Sequence, residues 1–208
     1  IENKNFLIIL FLISLLISFF IVKYTSVDLL FYTFLISGAF YLFFTTIKEL
    51  LSKKFNSFSQ AISHFGFSLL ILSILFNNIL SSEIITNIKV GEKYSYEKNE
   101  IFFEKIEKEK KDNFNSLIGY FKIKDEKGKV TRLKPELRVY NQPIIITSEA
   151  DIKTTFLEDK FLVMNIVKDS EYFNIRYQIK PFMVWIWISV LLISFGGLIS
   201  FFKKTYEK

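Results

Sequence analysis

The stretch Ala61–Leu80, AISHFGFSLLILSILFNNIL, decides how this chain is read. It holds no Lys, Arg, Asp or Glu, and it has roughly the 20 residues that a helix needs to cross the hydrocarbon of a bilayer. About one turn inside it stands His64, the sole histidine of the sequence. An ionisable, metal-capable side chain is costly to keep at membrane depth, so His64 is a candidate functional residue that needs a partner.

Three more blocks have the same character: Phe6–Val22, Leu29–Ile47 and Met183–Phe202. Half of the 208 residues are hydrophobic, with 25 Phe against 7 Gly, and they gather in long runs rather than at the periods of soluble helices and strands. The polar stretch from Ser82 to Lys180 is long enough to fold by itself. The expected fold class is therefore a membrane α-helical bundle segment of four transmembrane helices with an inserted, outward-facing antiparallel β domain. The expected organisation is two spans (6–22 and 29–47) and a cytoplasmic loop in 1–60, the His64 span in 61–81, the β domain in 82–180, and a last span with a basic tail in 181–208.

Short basic flanks orient such a chain. Lys4, Lys48, Lys53, Lys54, Lys203, Lys204 and Lys208 fall on one side, whereas the short loop on the other carries Lys23 opposed by Asp28. Both termini are expected to be cytoplasmic and the β domain periplasmic. The net charge of +6 comes mostly from those flanks, so it indicates lipid contact and argues against nucleic-acid binding. With no cysteine there is no disulfide, thiolate metal site or cysteine nucleophile, and any thiol chemistry belongs to a partner. The chain starts at Ile1 and enters its first span without the pattern of a signal peptide, which suggests a segment of a longer membrane protein.

The polar region reads as β. Phe173, Ile175, Tyr177 and Ile179 alternate with Asn174, Arg176, Gln178 and Lys180, the period-two signature of a half-buried strand. Similar patches at Ile101–Ile106, Leu117–Ile123, Glu136–Tyr140 and Phe161–Val167 predict roughly seven to ten short antiparallel strands in a small barrel or sandwich. Asp125-Glu126-Lys127-Gly128 suits a hairpin loop closed by a left-handed residue, and Lys105–Lys111 reads as a solvated strand end and loop. Glu149 and Asp151 are placed to share one face of a strand, as surface carboxylates. No catalytic triad, phosphate loop or metal-spaced carboxylate cluster is present, so no catalytic residue is assigned.

Gln60, His64 and Ser68 recur at spacing four and predict one polar stripe, with Gly66 leaving room for a flat group to approach. Such a stripe fits a cofactor pocket between helices. It equally fits an interhelical hydrogen bond or a histidine snorkelling to the interface. If His64 binds haem iron, its second ring nitrogen needs an acceptor, and no second histidine exists in the chain to close the site. In the last span Trp185 and Trp187 suit a membrane interface, and Ser189, Gly196 and Ser200 form a small-residue face that needs a neighbouring helix.

In order and spacing, His64-Phe65-Gly66, Pro135-Glu136 with Arg138 and Tyr140, Ser148-Glu149-Ala150-Asp151-Ile152, and Pro181 with Trp185-Ile186-Trp187 and Gly196-Gly197 run through nearly the whole chain. In these the chain resembles the C-terminal part of the CcmF/NrfE-like family, the haem lyase subunits of bacterial cytochrome c maturation. Ser189 stands where that family usually has glycine, and Phe161 where tyrosine is common. The resemblance implies an inner-membrane location and a b-type haem, with His64 as one axial iron ligand and the second ligand outside this segment. It implies attachment of haem to the Cys-x-x-Cys-His motif of an apocytochrome c, with the haem chaperone CcmE, a CcmH-type thiol partner and the rest of the same subunit as partners. An NrfE-like paralogue serving nitrite reductase maturation shares every motif. A non-enzymatic membrane assembly or sensor subunit with a β binding domain needs no haem at all.

Overall fold

The structure is a computed structural model that describes residues 4–25, 27–51 and 58–206. Ile1, Lys53, Lys54 and Lys208 lie outside the described residues, as do the side chains of Lys203 and Lys204. The chain divides into two compact units, one made of residues 1–80 with 181–208 and the other of residues 81–180.

The first unit holds four helices, α1 (Lys4–Val22), α2 (Leu29–Leu51), α3 (Phe58–Leu80) and α4 (Met183–Tyr206). Each is long and apolar enough to cross a membrane. Apolar side chains cover most of their exposed surface, whereas much of what they bury is small and polar, Ser14 and Ser18 on α1, Ser37 and Thr46 on α2, Ser59 and Ser68 on α3, Ser189 on α4, beside apolar Ile36, Leu69 and Leu72. That pattern suits a lipid-facing bundle, because small residues let helix backbones approach where no hydrophobic drive separates core from surroundings. Several of these hydroxyls are satisfied within their own helices, as where Ser18 donates to the Ser14 carbonyl at 2.7 Å and Ser189 to the Trp185 carbonyl at 2.6 Å.

The closest helix pairing is α3 with α4. A Cβ added at Gly196 would lie 2.7 Å from the Ser59 carbonyl oxygen and collide with the Ser63 hydroxyl. One added at Gly66 would stand 3.0 Å from the Ile193 backbone nitrogen. The room expected at Gly66 for a flat group is therefore filled by α4. Of the small-residue face on α4, Ser189 and Gly196 are buried whereas Ser200 is exposed, so only its first two members meet a neighbour. Gly196→Val forces these helices apart and should cost about 1–3 kcal/mol, seen as a lower melting temperature in detergent. A melting temperature equal to the parent's would contradict this packing.

The second unit is a β-sandwich of ten strands: β1 (Ser82–Ile88), β2 (Lys93–Tyr96), β3 (Asn99–Lys110), β4 (Phe114–Asp125), β5 (Val130–Leu133), β6 (Glu136–Tyr140), β7 (Ile146–Glu149), β8 (Asp151–Thr154), β9 (Glu158–Ile166) and β10 (Phe173–Pro181). One sheet has the order β1-β10-β9-β8, and the other β2-β3-β4-β6-β7 with β5 also on β4. Their facing sides interleave Ile101, Phe103, Phe121, Ile123, Leu133 and Leu137 with Ile88, Leu162, Met164, Ile175 and Tyr177. Gly128 adopts φ 78° in the β4–β5 hairpin, the left-handed closure expected there.

One reading of this region needs correction, that of Glu149 with Asp151. The solvated strand end expected at Lys105–Lys111 is the close of β3, Lys105 opposite Tyr120 through to Lys110 opposite Asn115, with Lys111 outside the strand. Ile106, and Leu117 on β4, still pack against the core there, while Lys105 pairs with Glu107 along the strand. Glu149 and Asp151 share no strand face: Glu149 ends β7 in one sheet and Asp151 begins β8 in the other. The chain changes sheets at Ala150.

Candidate functional site

The site lies where the last turn of α2 meets the second turn of α3. These helices run antiparallel, with Phe43 against Phe65 at 5.5 Å between ring centroids and Phe40 against Phe76 at 5.8 Å. Between buried Thr46 and Ser68 the hydroxyl oxygens are 2.9 Å apart, one donating to the other. That hydrogen bond fixes the register. One turn further on, at Thr46 plus three and Ser68 minus four, it brings Glu49 opposite His64.

His64 Nδ1 lies 3.2 Å from Glu49 Oε2. The two side chains are 50% and 43% exposed, on the wall of a cleft of about 460 Å³ lined also by Leu42, Thr45, Thr46, Lys48 and Phe67. The volume falls within the range of roughly 300–1,000 Å³ typical of small-molecule and cofactor sites, and the space between bundle helices is a usual place for one. A carboxylate oxygen only accepts hydrogen bonds, so the contact puts the ring proton on Nδ1 and leaves the lone pair of the neutral imidazole on Nε2. This donor set fits a haem iron: one imidazole nitrogen for the axial position, with its opposite nitrogen held by a carboxylate. Among the described residues no group of three or more His, Asp or Glu side chains could hold a metal ion.

The polar stripe is only partly as expected. Ser68 is fully buried and bonded to Thr46, His64 is half exposed and bonded to Glu49, and Gln60 is exposed. The acceptor that sequence reasoning required for His64 and did not find is Glu49, placed there in the loop after a span ending at Ile47, whereas α2 continues to Leu51. A signal was available: Glu49 is the only carboxylate within the four helices.

The β-sandwich motifs form a structural ion cluster. Arg138 Nη2 donates to Glu136 Oε2 at 2.8 Å and the guanidinium lies over the Phe114 ring at 5.1 Å. The Arg138 hydrogen bond holds the Glu136 carboxyl below the usual carboxylate range, and Glu136 in turn raises the guanidinium. Glu149 stands opposite Glu136 in the β6–β7 register, and Asp151 Oδ2 accepts the Lys134 amide at 2.6 Å. Arg138 over the Phe114 ring and Asp151 on the Lys134 amide link neighbouring segments of the sandwich, and none of these groups is arranged as an acid–base or nucleophile pair.

Residues 79–181 match the family described as the CcmF C-terminal beta-sandwich. The cytochrome c-type biogenesis protein ccl1 of Rhodobacter capsulatus is 27% identical over 148 residues, covering 71% of this chain and 23% of that protein. The cytochrome c-type biogenesis protein NrfE of Haemophilus influenzae is 23% identical over 177 residues, covering 84% of this chain and 28% of that protein. The solved structure of cytochrome c haem lyase CcmF shares the fold with a TM-score of 0.71 at 17% identity, covering 95% of this chain and 34% of that one. The chain thus spans about a quarter of the length of the curated relatives it matches. A match to the β-sandwich, relatives aligned across most of the chain and a shared fold make this chain similar to the C-terminal portion of the CcmF/NrfE-like cytochrome c biogenesis proteins.

Proposed function

We propose that the chain is part of a membrane haem lyase for cytochrome c maturation, in which His64 would hold the iron of a b-type haem. The observation that carries this reading is the cleft. The sole histidine stands on its wall with Nδ1 engaged by Glu49, so that Nε2 is the ring's available lone pair. When bound there, the haem supplies a one-electron carrier at membrane depth.

The chain's own residues bind and orient. His64 presents Nε2, Glu49 accepts the Nδ1 proton in a hydrogen bond, and Leu42 and Phe67 give the cleft an apolar wall. Haem attachment then joins the haem vinyl carbons to the thiols of the apocytochrome Cys-x-x-Cys-His motif, thiols this chain lacks. CcmE as haem donor and a CcmH-type thiol partner complete the assembly. The basic flanks support cytoplasmic termini and a periplasmic β-sandwich, a docking surface for apocytochrome or partner proteins.

Depleting the chain from its bacterial host tests the role. The expected outcome is loss of c-type cytochromes, read as haem stain that survives denaturing electrophoresis, with b-type cytochromes kept. Parental levels of c-type cytochromes under depletion would sink the proposal.

A further inference from the structure

We propose that Glu49 is a positioning residue for His64, fixing the orientation and basicity of its imidazole toward iron; this rests on the haem reading of His64. Three observations on the chain lead to it.

The only carboxylate and the only histidine within the described parts of the four helices touch each other across two helices, 3.2 Å apart. In helices this apolar, an ionisable side chain is costly to place, and these two complement each other. Second, Glu49 stands in the last turn of α2, where the helix dipole disfavours a negative charge. Helix stability therefore gives no reason for a glutamate at this position. Third, the buried Thr46–Ser68 hydrogen bond one turn away locks the register that brings the two together. The dyad sits on a braced rung rather than on a loop.

A carboxylate accepting from Nδ1–H does three things to an iron-ligating histidine. It selects the tautomer with the lone pair on Nε2, stops ring rotation, and raises the electron density that Nε2 donates. Greater basicity favours ferric over ferrous iron, so removing the acceptor shifts the couple upward. The pair is half exposed, and polar contacts of that kind contribute little to stability. Glu49 is thus set to change the properties of the ligand far more than the stability of the fold.

The test is a redox titration, followed in the visible spectrum, of the protein purified in detergent with its partner chains as the parent, Glu49→Gln, Glu49→Ala, Glu49→Asp and His64→Ala. Glu49→Gln, a weaker acceptor of similar shape, is expected to keep haem and raise the midpoint by about 59 mV, the equivalent of a tenfold change in ferric over ferrous preference. Glu49→Ala should weaken haem retention about 10- to 100-fold, and Glu49→Asp should recover part of it. Parental midpoint and haem content in both Gln and Ala variants, with the signal abolished in His64→Ala, would overturn the role of Glu49 and leave His64 as the ligand. A b-type signal surviving in His64→Ala would overturn both.

Discussion

His64→Ala is expected to abolish covalent attachment of haem to c-type cytochromes while leaving the protein folded and inserted. The two effects separate because of where the side chain sits. It is half exposed on a cleft wall, its one described hydrogen bond is the contact with Glu49, and the buried small-residue seam between α3 and α4 runs along another face of the helix, through Ser59, Ser63 and Gly66. Truncation opens no core cavity and exchanges histidine for a better helix former, so the fold should change by less than about 1 kcal/mol. On the proposed role the function by contrast loses its iron ligand, and this chain contains no other histidine and no cysteine to substitute. Comparing haem-stained c-type cytochromes with the amount of inserted protein reads both. Normal attachment in His64→Ala would remove this residue from the mechanism.

The largest expected loss of stability is at Phe103. Its ring is fully buried, stacks on Phe121 at 4.1 Å and 12°, and meets Phe173 of the opposite sheet edge-on at 5.6 Å and 89°. It therefore couples the two sheets as well as filling the space between them. Phe103→Ala should cost about 3–5 kcal/mol, a large share of the roughly 5–15 kcal/mol that holds an ordinary domain together. The β-sandwich should become cleavable by protease under conditions where the parent is resistant. Phe102→Ala is the matched control, since adjacent strand residues face opposite sides and Phe102 is only partly buried. Equal protease resistance in the two variants would mean that Phe103 does not hold the sheets.

The parts legible in the sequence were those where one physical signal dominates. Apolar runs marked the four helices because a bilayer demands a minimum length, yet helix ends escaped the same criterion: α2 runs on to Leu51 and α3 starts at Phe58, through residues too polar to count as span. β10 announced itself because one of its faces lies on the core, with Ile175 and Tyr177 fully buried between wetter neighbours. β8 gave no such signal, since most of its four residues are exposed and its place at a sheet edge is set by pairing with β9.

The site divides in the same way. His64 stood out because its chemistry is rare at membrane depth, a local property readable from one residue and its surroundings. Glu49 did not, because its meaning depends on a helix pairing that places position 49 against position 64. Gly66 was read as space for a ligand, but a glycine marks close approach without saying of what, and here the approach is that of α4.

The most direct measurement is the reduced-minus-oxidised visible spectrum of His64→Gly protein, purified in detergent with its partner chains, before and after adding imidazole. A glycine leaves a gap in which free imidazole can take the place of the side chain, beside the same Glu49 carboxylate. A b-type signal that is lost in the variant and restored by imidazole is the result expected of an iron ligand. A signal as strong in the untreated variant as in the parent would show that His64 does not hold the haem.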